Sequence, residues 1–145
     1  MLIRGKCHCG NIAFSLEWGP DPVEIPARAC TCSFCTKHGG LWTSKPDGAL
    51  EILIKDASLV SNYTFGTRTA EFHTCVRCGI VPVVTSLIDH RLYAVVNVNA
   101  FEGVDPSILR RGSASSDGEG EGTRLARRQR NWIGNVKLLP GGTGG

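Results

Sequence analysis

Seven cysteines, gathered into three clusters with none left over, constrain this chain more than any other feature. They are Cys7 and Cys9, then Cys30, Cys32 and Cys35, then Cys75 and Cys78. Thiols one to three residues apart are poorly placed to pair with each other and well placed to hold one metal ion. A C-x-C together with a C-x2-C supplies four ligands, which closes a tetrahedral zinc site. A C-x-C-x2-C supplies three and leaves a position open. A closed site is structural, and an open one can do chemistry.

The 145 residues fit one domain, expected to span 1–139, with 113–122 as a flexible polar loop and 140–145 as a disordered tail. Eighteen glycines and seven prolines, with few long helical stretches, point to a strand-and-turn protein. No run approaches the roughly 20 apolar residues of a membrane span. The start, Met1-Leu2-Ile3-Arg4-Gly5-Lys6, lacks the apolar stretch of a signal peptide, so a cytoplasmic chain is expected. In a reducing compartment, clustered cysteines read as metal ligands rather than disulfides.

The formal net charge is +3. Seven metal-bound thiolates and two zinc ions would bring it to zero, which argues against a global basic field for nucleic acid. Positive charge is local, at Arg110-Arg111 and at Arg124, Arg127, Arg128 and Arg130. The second group reads first as a solvated helix face, and more sharply as a clamp for anionic substrate groups.

Ile12, Phe14 and Leu16 alternate with Ala13, Ser15 and Glu17, which predicts a half-buried strand leaving the first cysteine pair. Further strands are expected at 41–44, 50–54, 59–65, 69–74, 80–85 and 92–98, and their short spacing favours antiparallel pairing. Residues 21–26 read as loop or edge strand because both prolines lack a ladder donor. One helical turn is expected from Cys32 until Gly39-Gly40 ends it, and a short helix capped by Thr123 runs through Arg130. His90-Arg91 reads as a turn at a strand start.

Pairing the two glycine-flanked knuckles assigns Cys7, Cys9, Cys75 and Cys78 to the closed site. Counting alone also permits Cys7 and Cys9 to join the middle cluster. The preferred partition leaves Cys30, Cys32 and Cys35 as one chemically distinct site, open to water or to an incoming thiol that coordination would keep deprotonated. A protein ligand could instead complete it, with His8, His38 and His73 as candidates and His38 the foremost. His73 could also support a ligand through a hydrogen bond. Tyr63, Phe65, Phe72 and Trp42 read as core or pocket wall.

The three motifs Lys6-Cys7-His8-Cys9-Gly10, Ala29-Cys30-Thr31-Cys32-Ser33-Phe34-Cys35 and Phe72-His73-Thr74-Cys75-Val76-Arg77-Cys78-Gly79 occur together in this order. Their combination resembles the glutathione-dependent formaldehyde-activating enzyme (Gfa) and centromere protein V family. The resemblance implies a mainly β, zinc-carrying β-tent fold of antiparallel sheets with little helix. It implies structural zinc on Cys7, Cys9, Cys75 and Cys78, and catalytic zinc on Cys30, Cys32 and Cys35. The activity it implies is of carbon–sulfur lyase type, joining glutathione and formaldehyde to S-hydroxymethylglutathione.

Two functions follow. One is a zinc-dependent enzyme acting on a small thiol and an aldehyde. The other is a non-catalytic zinc scaffold that binds a protein partner. Neither a membrane nor a nucleic acid is an expected partner, and the sequence carries no signal for an oligomer.

Overall fold

Alternation sets the first two strands. In the computed structural model, which describes residues 1–114 and 119–139, β1 (Leu2–Lys6) and β2 (Ile12–Glu17) point every second side chain inward. The chain continues through β3 (Ile25–Cys30), α1 (Ser33–His38), β4 (Leu41–Thr43), β5 (Ala49–Ile54), β6 (Val60–Tyr63) and β7 (Glu71–Cys75). It then forms β8 (Val83–Ile88), β9 (Arg91–Asn97), β10 (Phe101–Glu102), β11 (Leu109–Ala114), α2 (Glu121–Asn131) and β12 (Asn135–Leu139).

These strands make two sheets. One has five strands in the order β10-β1-β2-β5-β12, the other seven in the order β11-β3-β4-β9-β8-β7-β6. Ile12, Leu16, Leu50 and Ile52 from the smaller sheet pack against Ile25, Val83 and Val96 from the larger one. Fully burying each large aliphatic side chain contributes about 1.5–3 kcal/mol, so this layer is the main stabilising contact.

The larger sheet is covered on its other face as well. Val83 and Val96 are paired across β8 and β9, and so are Val84 and Val95. Successive side chains leave a strand on opposite faces, so the first pair enters the layer between the sheets while the second faces away. That second face packs Cys35, Trp42, Val81, Val84 and Val95 together, with Phe34, Phe72 and Trp132 against them. It is the face that carries the site.

The expected mainly β fold is present. The expected strands are present with shifted ends: Thr69 and Ile80 fall outside β7 and β8. Pairing differs at two places, where β11 runs parallel to β3 and β12 parallel to β5. A period-two pattern reports which face a residue occupies, not the direction of its neighbour. Residues 21–26 expected as loop or edge enter β3 at Ile25, and Pro26 sits opposite Arg110 of β11. Helix α1 ends as expected, with Gly39 in the left-handed conformation (φ 77). Helix α2 starts earlier than expected: Gly120 is its N-cap without a side-chain bond, and Thr123 lies inside the helix. Of the segment 113–122, Ser113 and Ala114 belong to β11 and Glu121 and Gly122 to α2. Residues 115–118 and the expected tail 140–145 lie outside the described residues.

Past α2, the chain crosses from one sheet to the other. Ile133 is fully buried and exchanges main-chain hydrogen bonds with Ala94 (3.1 and 2.9 Å), after which β12 adds to the edge of the smaller sheet. This anchor holds α2 over the second face of β8. No helix among the described residues is long and apolar enough to cross a membrane.

Candidate functional site

The first cysteine cluster joins the two sheets. Cys7 and Cys9 follow β1 of one sheet; Cys75 ends β7 of the other, and Cys78 follows it. Each pair sits in the same kind of turn. Cys7 N–H donates to Ile12 O (2.8 Å) and Cys75 N–H to Ile80 O (3.0 Å). Gly10 (φ 84) and Gly79 (φ 81) close the turns in a conformation that side chains resist. The four sulfurs lie within 4.8 Å of one another. Cys7 Sγ is 3.8 Å from Cys9 Sγ, and Cys9 Sγ is 3.5 Å from Cys75 Sγ. Zinc bonds of about 2.3 Å in a tetrahedron place sulfurs about 3.8 Å apart, so this donor set fits the ion.

Electrostatics agree. Burial pushes the Cys75 thiol up to about 11. Burial also works against the Cys78 thiolate, but backbone N–H groups of Cys9 and Ile80 and the neighbouring thiols outweigh it and bring it down to about 6. Cys75 and Cys78 are thus driven in opposite directions, and a cation bound among the thiols would favour the ionised form of both.

The second cluster comes from one short stretch. Cys30 ends β3, Cys32 caps α1, and Cys35 lies within α1. The Cys35 N–H donates to Cys32 Sγ at 3.3 Å. The three sulfurs lie within 4.8 Å of one another. Cys30 is held down to about 5, first by the hydrogen bond from Cys35 and against the effect of burial. Cys35 is pushed up by that same bond and by burial. Among the described residues no histidine or carboxylate joins this cluster at that mutual distance. Both clusters can hold metal ions.

Histidine is placed elsewhere. His73 is buried, with Nδ1–H donating to Asn62 Oδ1 (2.7 Å) and Nε2 accepting from Thr85 (2.6 Å). Burial lowers its pKa, which fits a neutral ring with both nitrogens engaged. His38 stacks on Phe34 with ring centroids 5.6 Å apart. His8 is exposed beside the four-thiol cluster.

Cys30, Cys32 and Cys35 open onto a pocket of about 490 Å³. Phe65, Phe72, Trp42, Val84, Val95 and Trp132 form much of its lining. Phe34 braces the aromatic wall, 4.7 Å from Phe72 and 5.4 Å from Phe65 between centroids. A pocket of this size with apolar walls and a few polar groups is the usual form of a small-molecule site.

Helix α2 supplies the opposite character. Arg124, Arg127 and Arg128 line the same pocket. Arg128 is 6% exposed, donates to Thr69 Oγ1 (2.7 Å) and Ser86 Oγ (3.1 Å), and stacks over Trp132. Arg127 grips Glu119 through Nε (3.0 Å) and Nη2 (3.1 Å). The arginines are thus a pocket wall rather than a purely solvated face. Arg28 also lines the pocket and was not singled out from the sequence. A signal existed: Arg28 and Cys30 are two apart in β3 and so share a face.

Comparison with known proteins matches residues 2–109 to the family described as glutathione-dependent formaldehyde-activating enzyme. A Halomonas elongata protein provisionally given that same name is 32% identical over 85 residues, covering 54% of this chain and 52% of the relative. The chain thus spans about half the length of that curated relative. A crystal structure of a Rhodobacter sphaeroides protein shares the fold, with a TM-score of 0.52 and 31% identity over 72% of this chain and 92% of that one.

Proposed function

Since the chain belongs to the glutathione-dependent formaldehyde-activating enzyme family, we propose that it is a zinc-dependent enzyme of carbon–sulfur lyase type acting on a small, glutathione-like thiol and an aldehyde such as formaldehyde. Two zinc ions serve it. Cys7, Cys9, Cys75 and Cys78 hold the structural one; Cys30, Cys32 and Cys35 hold the catalytic one. The observation that carries this reading is the convergence of three thiols on one pocket, with no histidine or carboxylate in their cluster among the described residues.

Zinc bound there would keep an incoming thiol deprotonated and polarise an aldehyde carbonyl. In the reaction a sulfur–carbon bond forms, the carbonyl π bond breaks, and the proton lost by the thiol ends on the former carbonyl oxygen. The product is a hemithioacetal, and cleavage is the reverse. The chain's own residues supply the setting. The Cys35 N–H fixes Cys32 Sγ, the aromatic wall excludes water, and the arginine wall orients anionic substrate. Thiolate-rich ligand sets suit a reducing cytoplasm.

The test is to mix zinc-loaded protein with glutathione and formaldehyde and follow hemithioacetal formation. Acceleration over the spontaneous reaction supports the reading. No acceleration with any of several thiols overturns it. A metal-resolved structure with the three-thiol site saturated by a protein histidine such as His38 would support the non-catalytic scaffold instead.

A further inference from the structure

The pocket's charge is one-sided. Arg28, Arg124, Arg127 and Arg128 line it, and no aspartate or glutamate does so among the described residues. Arg28 is exposed and has no hydrogen-bond or ion-pair partner among the described residues. Arg128 is buried and bonded to two neutral hydroxyls, with no carboxylate within ion-pair distance among the described residues. Its Nε is buried without a partner. Burial, and then the charges of Arg127 and Arg124, lower its pKa to about 10. Glu119 opposes that shift from a distance but is itself paired with Arg127 and Arg124. A buried cation without a directly paired carboxylate is costly, and a bound anion offsets that cost.

One carboxylate shows what this wall can hold. Glu119 lies 3.0 Å from Arg127 and 3.4 Å from Arg124. The paired contacts from Arg127 Nε and Nη2 are the two-pronged geometry by which a guanidinium recognises a planar carboxylate. Two hydroxyls on the lining are already occupied, whereas the buried Trp42 Nε1 has no partner among the described residues. Ser44 Oγ donates to Asn131 O at 2.6 Å, and Thr67 Oγ1 bonds Thr69 Oγ1 at 2.9 Å.

We propose that the arginine wall is a carboxylate subsite, and that the thiol this chain takes is an ammonium-free thiol carboxylate with an apolar body. This rests on the carbon–sulfur reading of the three-thiol site. The apolar body lies along Trp42, Phe65, Phe72 and Trp132, and the thiol reaches the three cysteines. Glutathione fits this pocket poorly. Its α-ammonium would face four arginines with no lining carboxylate to receive it. Three of the four arginines lie in α2, beyond the family-matched residues 2–109, so this preference belongs to the chain and is not carried by the family match.

The experiment compares three thiols on zinc-loaded protein by calorimetry: 4-(mercaptomethyl)benzoate, its carboxylate-free counterpart phenylmethanethiol, and glutathione. The benzoate is expected to bind at least about tenfold more tightly than either, the scale of one charge-assisted hydrogen bond. Arg28→Gln and Arg127→Gln are each expected to cut that advantage severalfold and leave phenylmethanethiol unchanged. Arg28 is exposed, so the first variant tests the wall even where α2 is sensitive. Equal affinities, tightest binding of glutathione, or no effect of either substitution overturns the proposal. Formaldehyde addition separates the two levels. Carboxylate preference in binding without accelerated addition upholds the subsite and contradicts the enzyme reading, whereas acceleration of all thiols alike does the opposite.

Discussion

The two cysteine clusters use one kind of side chain and meet opposite surroundings. Cys7 and Cys75 are fully buried, and their cluster ties a turn from one sheet to a turn from the other. Cys30, Cys32 and Cys35 come from one strand end and the helix after it, on the outward face of the larger sheet. The first cluster has four thiols, of which Cys9 is exposed; the second has three and opens onto a pocket. Ligand type is therefore uninformative about role here. Ligand count and the element that each cysteine comes from carry the distinction.

Breaking the first cluster should have the largest effect. Cys75→Ala removes one thiol of the cluster that joins the sheets, and on the proposed reading it removes a ligand of structural zinc, which in small domains contributes on the order of 10 kcal/mol. The expected outcome is loss of the cooperative unfolding transition by circular dichroism. A variant that unfolds within a few degrees of the parent would erase the contrast between the clusters.

Cys32→Ala in the second cluster should do something else. The fold persists, the metal content falls by one equivalent, and any acceleration of thiol addition to formaldehyde disappears. Metal analysis beside a thermal melt checks this, and a collapse like that of Cys75→Ala would show that both clusters are structural.

A smaller effect sharpens the claim that α2 belongs to the pocket face. Arg128→Ala removes two charge-assisted hydrogen bonds, to the Thr69 and Ser86 hydroxyls, and uncovers the Trp132 ring. It should cost about 2 kcal/mol, the scale of a broken buried charged hydrogen bond, with metal content unchanged. Chemical denaturation reads the first, and metal analysis the second.

The smallest effect is at Glu119. Hydrogen bonds from Arg127 hold its carboxyl below the usual range, against a weaker effect of burial. A depressed carboxylate contributes stability above its unfolded pKa of about 4.3 and loses it as pH falls through the folded value. Glu119→Gln should therefore lower stability by less than about 1 kcal/mol, by an amount that stays flat from about pH 8 to pH 5. A difference that grows with pH across that range would point to another group.

The sequence made some of this legible and hid the rest for physical reasons. Ile12, Phe14 and Leu16 announce β2 because one face meets the core and the other does not. Gly39 marks the end of α1 because only a left-handed residue closes it there. The cysteine partition is legible because spacing limits which sulfurs can converge, and the structure brings together the two expected groups. The polar strand β11, Leu-Arg-Arg-Gly-Ser-Ala, gives no such sign, since main-chain bonds to β3 hold it in the sheet. The pocket was hidden for a similar reason. It exists because Ile133 is pinned to Ala94 and α2 is carried over β8, which brings Arg128 beside Ser86. Such a contact between distant segments leaves no local pattern.

The central claim is that the three-thiol cluster is an open metal centre facing a substrate pocket. A crystal structure with anomalous scattering measured at the zinc edge tests it most directly. The account predicts two zinc peaks per chain, one with four sulfur neighbours at about 2.3 Å and one with three sulfurs and a solvent or thiol ligand. A single peak, or a second ion completed by a protein histidine such as His38, would contradict it.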